Sequence, residues 1–325
     1  MNIFQIISEI EKVDPEVYDR LDSRRSIFKH MSGLGQKLTA AAVPLAIGAI
    51  FNKAYAQTPS VDVNGVLNFA LSLEYLEKYF YERGQGIQAL QAGFSATNKT
   101  ALDLIATDER NHVNFLRAVL GATATSNGNA IADPGMNTFD FTGGKGAAGG
   151  PFADVFSNPA TYLAVAQSLE DTGVRAYKGG AALLMSNKTV LTAALNIHSV
   201  EARHASRLRT MRRGGVMNNA ASQGVQTGTL NASPKNWISG TDNGGASPAQ
   251  TAGIYGAGNN TGAPAGVTFD AEGNVMQGGA DVSKLPNTAG FPAAAFSEAF
   301  DEALDVTTVK TIARTFVVNG STFLA

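Results

Sequence analysis

Two stretches of the chain share one pattern of a carboxylate, an imidazole and flanking apolar residues. The pattern I-x-x-x-E-x-x-H-x-x-x-L-R occurs as IATDERNHVNFLR at 105–117 and as IHSVEARHASRLR at 197–209. It places Glu109 three residues before His112, and Glu201 three residues before His204. Residues three apart share one face of a helix, so each pair can reach a single metal ion. The flanking isoleucine and leucine put both pairs on a stripe that should be buried.

A second repeated pattern precedes each of these pairs. It reads A-x-S-L-E-x6-Y and occurs as ALSLEYLEKYFY at 70–81 and AQSLEDTGVRAY at 166–177. Seven residues make almost two helical turns, so each tyrosine lies on the stripe of its glutamate. The two repeats together predict a pseudo-twofold site with six candidate metal ligands: Glu74, Glu109, His112, Glu170, Glu201 and His204.

The ligand types indicate which ions such a site would bind. Carboxylate oxygens combined with imidazole nitrogens favour two iron or manganese ions, with zinc as a further option. The alternative is a metal-free core in which the same groups form hydrogen bonds and salt bridges. Burying four carboxylates without cations is unfavourable, and Lys78 is the one basic residue of these segments near the inner stripe. Metal binding is therefore the favoured interpretation.

Four further residues lie near the same stripes. Glu77 is either an additional ligand or a substitute for Glu74. His198 is either a surface residue or a hydrogen-bond partner of a ligand, and the surface position is favoured. Tyr81 and Tyr177 are either hydrogen-bond donors to the ligands or ordinary core tyrosines.

Helical periodicity predicts the elements that would position these residues, namely 62–91, 98–120, 158–185 and 188–213. Short turns join the members of each pair, so each pair forms an antiparallel hairpin. The Gly-, Asn- and Pro-rich residues 121–157 are long enough to cross the length of a bundle. The expected fold is mainly α, a four-helix bundle with a long crossover.

The C-terminal third has a different composition. Residues 214–292 are poor in charge and rich in Gly, Asn, Ser and Ala, which is typical of a disordered low-complexity segment. An ordered, irregular arm with a little β structure is favoured, because five apolar residues are spaced as if to dock: Trp237, Ile238, Tyr255, Val267 and Phe269. The segment 294–317 contains an additional helix.

The N-terminus resembles an export signal. A basic pair in SRRSIFK at 23–29 precedes a short apolar run at 38–51 and AYAQ at 54–57. Arg24 and Arg25 resemble the pair of a twin-arginine signal, and the apolar run is short for a membrane span. The alternative is an amphipathic N-terminal helix. Export to the periplasm or cell envelope is predicted, with cleavage after Ala56 or with the signal retained. The predicted organisation is a signal at 1–56, a bundle at 57–213, and an arm with a C-terminal helix at 214–325.

Overall composition excludes several classes of function. The formal net charge of −2 gives no electrostatic basis for binding nucleic acid or an anionic membrane. The absence of cysteine excludes disulfides, thiolate metal sites and covalently attached c-type haem. With 44% hydrophobic residues, the chain can form a substantial core.

The repeated motifs carry a family resemblance. The chain resembles the ferritin-like superfamily and, more narrowly, exported ferritin-like proteins related to plant desiccation-associated proteins. The segments NFALSLEYLEKYFY, LEDTGVRAYKG, VEARHASRLR and FSEAFDEAL carry the narrower likeness. The resemblance implies that the six residues bind two metal ions, with Glu109 and either Glu170 or Glu201 as bridging ligands. It also implies redox chemistry on dioxygen, peroxide or ferrous iron.

Two other functions are compatible with the same residues. The bundle could serve as a scaffold in a non-enzymatic stress or structural protein of the cell envelope, with the arm as a surface for self-assembly. Iron storage in a symmetric cage is less favoured, because the long arm and leader would be difficult to accommodate in a closed shell. The expected partner is a small oxidant or a metal ion, and a homo-oligomer is compatible with the sequence.

Overall fold

The computed structural model describes residues 62–325 except 124, 148, 215–233, 241, 243–244, 246–248, 264–265, 287 and 289. The predicted export signal at 1–56 lies outside this part of the chain. The described residues form seven α-helices: α1 (Val63–Gln85), α2 (Gln88–Gln91), α3 (Ala96–Val119), α4 (Pro159–Leu183), α5 (Lys188–Arg213), α6 (Ala294–Glu298) and α7 (Val306–Ala313). None of these helices is long and apolar enough to cross a membrane.

The four long helices form the predicted four-helix bundle. Helix α1 packs against α3, α4 packs against α5, and α1 also packs against α4. Helix α4 lies at the centre of the molecule, and most of its residues are buried on every side. Helices α1 and α5 begin at the end of the bundle where α3 and α4 finish. The mainly α architecture expected from the sequence is thereby confirmed.

Side-chain caps fix where three of these helices begin. Ser95 accepts a hydrogen bond from the Asn98 backbone N–H and starts α3. Asn158 and Asn187 do the same at the first turns of α4 and α5. Such caps satisfy N–H groups that have no partner within the helix. Helix α5 ends at Gly214, whose φ of 80° is the left-handed conformation that glycine tolerates.

The first predicted helix is divided in two. Helix α1 ends at Gln85, and Ile87 is extended, with φ −107° and ψ 96°, before the single turn of α2. The side chain of Gln91 donates a hydrogen bond to the backbone carbonyl of Gly84 at 2.9 Å. The end of the predicted helix is therefore a separate turn and not a continuation of α1.

The crossover runs along α1 from its first turns to its last. Near the start of α1, Asn68 exchanges hydrogen bonds with the backbone of Asn129 and Ile131. Further along, Phe141 packs on Phe80, with ring centroids 5.3 Å apart. The crossover therefore spans the length of the bundle, as its composition and length predicted.

The described residues of the arm pack against the rest of the molecule, and most of them lie outside helices and strands. Trp237, Ile238, Tyr255 and Phe269 are buried, and Val267 is half-buried, so the docking inferred from their spacing is found. The β structure in the described part of the arm is one antiparallel hairpin, formed by β1 (Met276–Gln277) and β2 (Ala280–Asp281). Its two turn residues are glycines with positive φ, as a tight hairpin turn requires.

The segment 294–317 contains two short helices, α6 and α7, and not one long one. Between them, the backbone carbonyls of Asp301, Glu302 and Ala303 accept hydrogen bonds from basic side chains of α4. The Leu304 N–H donates to the carbonyl of Arg175 at 3.1 Å. Backbone groups that a continuous helix would pair internally are thus bound to α4, and the helix is interrupted where they meet it.

Candidate metal centre

The candidate ligands come together at the middle of the bundle. Helix α1 contributes Glu74, α3 contributes Glu109 and His112, and α4 and α5 contribute the remaining three. All six side chains are buried, with between 0% and 8% of the residue surface exposed: Glu74, Glu109, His112, Glu170, Glu201 and His204. The sequence repeat thus corresponds to a single three-dimensional cluster.

One group of donors surrounds the imidazole of His112. Its Nδ1 lies 3.0 Å from an oxygen of Glu74, 3.2 Å from Glu109 and 3.3 Å from Glu201. One ligand atom from each of these four residues lies within 4.8 Å of the others. Four donors at this mutual distance can hold one cation.

A second group surrounds the imidazole of His204. Its Nδ1 lies 2.9 Å from an oxygen of Glu109 and 3.2 Å from one of Glu170. Together with Glu201 these residues again place one ligand atom each within 4.8 Å of the others. The two imidazole rings are 6.3 Å apart between centroids. Glu109 and Glu201 belong to both groups, so each could contribute a ligand atom to either group.

The surroundings of the cluster's oxygen atoms suit bound cations better than a metal-free core held together by hydrogen bonds. Neither oxygen of Glu201 forms a hydrogen bond, although both are buried. The same holds for Oε1 of Glu109, even though His204 Nδ1 lies nearby. Buried carboxylate oxygens without donors are rare and unfavourable in folded proteins. The donor set of oxygens and imidazole nitrogens suits iron, manganese or zinc.

The fold and this donor arrangement can be compared with known protein families. Residues 62–213 match the family model described as the ferritin-like domain. This part of the chain is similar to ferritin-like domains. The match extends from the start of α1 to the end of α5 and contains all six candidate ligands. No curated protein matches the chain.

Burial and mutual repulsion govern the protonation of the cluster. Burial and the charge of Glu170 raise the pKa of Glu109 to about 7, against the opposing effect of both histidines. Burial, Glu109 and Glu170 raise the pKa of Glu201 well above its ordinary value. Burial alone would lower the pKa of His204, but Glu170 and other acidic neighbours outweigh it and raise that pKa. Without cations the cluster therefore retains protons near neutral pH, and metal binding would release them.

Both repeated tyrosines donate hydrogen bonds to candidate ligands of the site. The hydroxyl of Tyr81 donates to Oε1 of Glu170 at 2.5 Å, and that of Tyr177 donates to Oε1 of Glu74. Each tyrosine belongs to one hairpin and bonds to the glutamate of the other hairpin. The two bonds therefore tie the halves of the site together, and each leaves one oxygen of its glutamate facing the histidines.

Asp108 is a partner of the site that the sequence patterns missed. Its Oδ2 lies 3.1 Å from Nε2 of His204. A carboxylate at Nε2 favours the proton there and leaves the lone pair of Nδ1 directed at the site. The position equivalent to Asp108 in the other repeat is Val200, so no repeated spacing indicates this residue.

Glu77 is buried beside the cluster but outside both groups of donors. Its Oε2 forms no hydrogen bond, and burial together with four neighbouring glutamates raises its pKa well above the ordinary value. A Cβ added at Gly173 would lie 2.9 Å from Glu201 and 3.2 Å from Glu77. The glycine that takes the equivalent position in the second repeat thus leaves space for both carboxylates. Glu74, and not Glu77, contacts His112.

Two other residues considered from the sequence lie away from the centre. Nδ1 of His198 is 2.9 Å from the carbonyl oxygen of Val174, and burial lowers the pKa of this histidine. Lys78 faces the crossover, where its Nζ lies 3.6 Å from Asp133. Neither residue supplies a ligand atom or a compensating charge to the cluster.

Proposed function

We propose that this chain is an exported di-metal carboxylate protein of ferritin-like type, which uses two iron or manganese ions for redox chemistry on dioxygen, peroxide or ferrous iron. One observation carries the proposal. Two groups of four buried donors share Glu109 and Glu201, and three oxygens of these two carboxylates have no hydrogen bond. Two cations would satisfy these oxygens and neutralise the charge that burial otherwise disfavours.

The residues of the site divide into three roles. Glu109 and Glu201 would be ligands shared by both ions, while Glu74 with His112 and Glu170 with His204 would each help to hold one ion. Tyr81 and Tyr177 hold the outer carboxylates in place, and Asp108 orients His204. When bound, two such ions supply the one-electron steps that carboxylates and imidazoles cannot perform alone. The side chains themselves would hold the ions, exclude water and accept or release protons at the glutamate oxygens.

Burial limits what can react at this centre. Each of the six candidate ligands is at most 8% exposed, so a bulky substrate has no direct contact with the ligand atoms. A diatomic oxidant, peroxide or a ferrous ion is small enough to reach them. This supports a small oxidant or a metal ion as the reactant.

Metal analysis of matched variants tests the proposal. We expect about two ions per chain in protein from the native host, and loss of both in Glu109→Ala or Glu201→Ala, since both donor groups include these residues. Glu74→Ala should lose one ion and retain the other. His198→Ala is the control and should retain both. Aerobic oxidation of added ferrous iron, followed by absorbance, should be fast in the native protein and slow in Glu109→Ala.

The same experiment distinguishes the scaffold alternative. A native protein that folds to full stability with no metal at any stage of its preparation would contradict the di-metal proposal and favour a structural role. Retention of both ions by Glu109→Ala would contradict the assignment of Glu109 as a ligand shared by both ions.

Export is proposed from the N-terminal sequence and from the narrower likeness to exported, desiccation-associated ferritin-like proteins. The order of SRRSIFK, the apolar run at 38–51 and AYAQ supports it. N-terminal sequencing of the protein recovered from the cell envelope should begin at Gln57 if the signal is cleaved. Recovery of the whole protein from the cytoplasm would contradict export.

A further inference from the structure

A cavity of about 220 Å³ lies within the bundle, at the end where α1 and α5 begin and α3 and α4 finish. Its inner wall is formed by Leu73, Leu116, Ile197 and Tyr177, each within about one helical turn of a candidate ligand or bonded to one. No charged residue lines it, and Thr189 and Tyr177 supply the hydroxyl groups of the wall. The space is therefore apolar and adjoins the candidate metal centre.

The internal repeat shows why this end of the bundle is hollow. The pseudo-twofold that exchanges the hairpins also exchanges the two ends of the bundle. At the opposite end the equivalent space is filled by large buried side chains, namely Tyr162, Phe80 and Leu102. The residues at the matching positions of the hollow end are Val66, Ala176 and Ala194, and all three line the cavity. Two aromatic rings and one leucine side chain at the filled end are thus replaced by smaller side chains at the hollow end.

The packing at the filled end shows how completely the larger residues close it. The rings of Tyr162 and Phe80 stack, with centroids 4.7 Å apart. A Cβ added at Gly84 would lie 2.5 Å from the Tyr162 ring. At the hollow end the equivalent glycine is Gly180, where an added Cβ would meet only Val66, at 3.7 Å. The glycine is present at both ends, but the ring that packs on it is present at one.

The outer rim of the cavity includes side chains that solvent can reach. Phe115 is 43% exposed and Val119 is 45% exposed, and both line the space. Their counterparts at the filled end are Arg207 and Met211. An apolar rim around an apolar space favours entry of an uncharged molecule from outside the bundle.

We propose that this cavity is a binding site for one small, uncharged apolar molecule, of the size of an alkylbenzene or a six-carbon chain. An apolar cavity of about 150 Å³ lined by aliphatic and aromatic residues stays dry and binds benzene. The present cavity of about 220 Å³ has room for a somewhat larger molecule. Its occupant would contact the ring of Tyr177, whose hydroxyl is bonded to Glu74, so the ligand lies one side chain from the candidate metal centre. Binding itself depends on shape and burial of apolar surface and does not rest on the proposed redox function.

Titration of the full chain with toluene and with n-hexane tests this site. Carbon-13 labels on alanine and valine methyl groups should report saturable shifts at Val66, Ala176 and Ala194. Benzoate, which resembles toluene but carries a charge, should not produce them. The relative affinities of toluene and hexane then distinguish an aromatic from an aliphatic preference.

Val66→Tyr, which transfers the plugging residue of the filled end, should weaken toluene binding at least about tenfold. Leu195→Tyr is the matched control, because Leu195 lies on the same helix as Ala194 but is 43% exposed and does not line the cavity. Its toluene affinity should equal that of the native protein. Ala194→Leu is a second filling variant with a smaller change in volume, and it should weaken binding in the same direction.

Three results would overturn the proposal. They are the absence of saturable shifts in the native protein, unchanged toluene affinity in folded Val66→Tyr and Ala194→Leu, or shifts confined to methyl groups outside the cavity. Metal content is measured on the same samples. A protein that binds toluene but never holds metal contradicts the proposed function alone, and one that holds metal but binds no apolar probe contradicts this inference alone.

Discussion

The two hairpins contribute equivalent ligands to the centre, yet they hold their following segments by different chemistry. In the first hairpin, Arg117 donates to the hydroxyl of Tyr75 at 2.8 Å and to Asn127 of the crossover at 3.0 Å. In the second hairpin, the equivalent arginine is Arg209, and a carboxylate, Asp171, takes the place of the tyrosine. The same two positions therefore form a hydrogen bond between a charged and a neutral side chain in one half and a buried ion pair in the other.

A second pair of equivalent positions repeats the contrast. Tyr79 of the first hairpin donates to Asp133 of the crossover at 2.6 Å. Its counterpart, Arg175, is fully buried and donates to backbone carbonyls of the arm and of the segment between α6 and α7. Its Nε also lies 2.8 Å from the carboxylate of Glu272. Each hairpin thus fastens the irregular segment that follows it, from matching positions on its first helix.

The difference follows from what each segment offers. The crossover presents side-chain oxygens from Asn127 and Asp133 to the partly exposed face of its hairpin. The arm instead brings irregular backbone into the interior, where each unpaired carbonyl needs a donor. A guanidinium group supplies five N–H donors in a fixed geometry, so one arginine can satisfy several carbonyls at once. Buried arginines are therefore what allows a Gly-rich segment of low hydrophobicity to pack as ordered structure.

The largest effect should come from breaking the ion pair of the second hairpin. Arg209→Met leaves Asp171 and Asp242, both buried, without their cation, and should lower the free energy of unfolding by about 3–5 kcal/mol. Arg117→Met in the first hairpin should lower it by about 1 kcal/mol, since a partly exposed hydrogen bond is lost. Urea unfolding at pH 7 measures both values. Arg209→Lys should recover part of the loss, and equal losses in the two methionine variants would refute the contrast between the hairpins.

An intermediate effect concerns His204, whose Nε2 lies beside the carboxylate of Asp108. Asp108→Asn should weaken metal binding about 10- to 100-fold at the ion held by Glu170 and His204, because the imidazole is less well oriented. The ion held by Glu74 and His112 should be unaffected. Stepwise removal of metal by a chelator resolves the two sites. The matched substitution Val200→Asp should strengthen the other site, and equal weakening of both sites by Asp108→Asn would show that Asp108 acts on the whole bundle.

The smallest effect concerns the crossover and depends on pH. Burial raises the pKa of Asp133, but hydrogen bonds from Tyr79 and Gly135 outweigh it and hold this pKa below its ordinary value of 3.8. Its contribution to stability is therefore present above pH 3.8 and is lost as pH falls through the lowered folded-state value. The side chain is 45% exposed, so after solvent screening Asp133→Asn should change stability by at most about 0.5 kcal/mol. Unfolding measured at pH 7 and pH 3 should show a smaller difference at pH 3 than at pH 7.

The bundle and the cluster of ligands were accessible from sequence because both depend on local, repeated patterns. Apolar periodicity and the caps at Ser95, Asn158 and Asn187 determine three helix starts almost independently of the rest of the chain. The Glu-x-x-His repeat identifies residues that must share a face. The roles of the six residues as metal ligands and the domain boundaries stay predictions.

The features missed from sequence depend on contacts between distant segments. Asp108 has no repeated counterpart, and its role follows only from the approach of α5 to α3. The division of 294–317 into two helices follows from hydrogen bonds to Arg175 and Lys178, more than 120 residues earlier in the chain. One feature of the sequence did indicate such long-range contacts. Asp171 and Arg175 are charged residues one turn apart on the most thoroughly buried helix, which requires partners from elsewhere in the chain.

The contacts of Arg175 also determine the order in which the molecule can assemble. Its hydrogen bonds close loops whose ends are between 79 and 128 residues apart in the chain, whereas α4 and α5 meet across a short turn. Closing a long loop is entropically unfavourable until a fixed docking surface exists to compensate it. We therefore expect the hairpin of α4 and α5 to form before the arm packs against it.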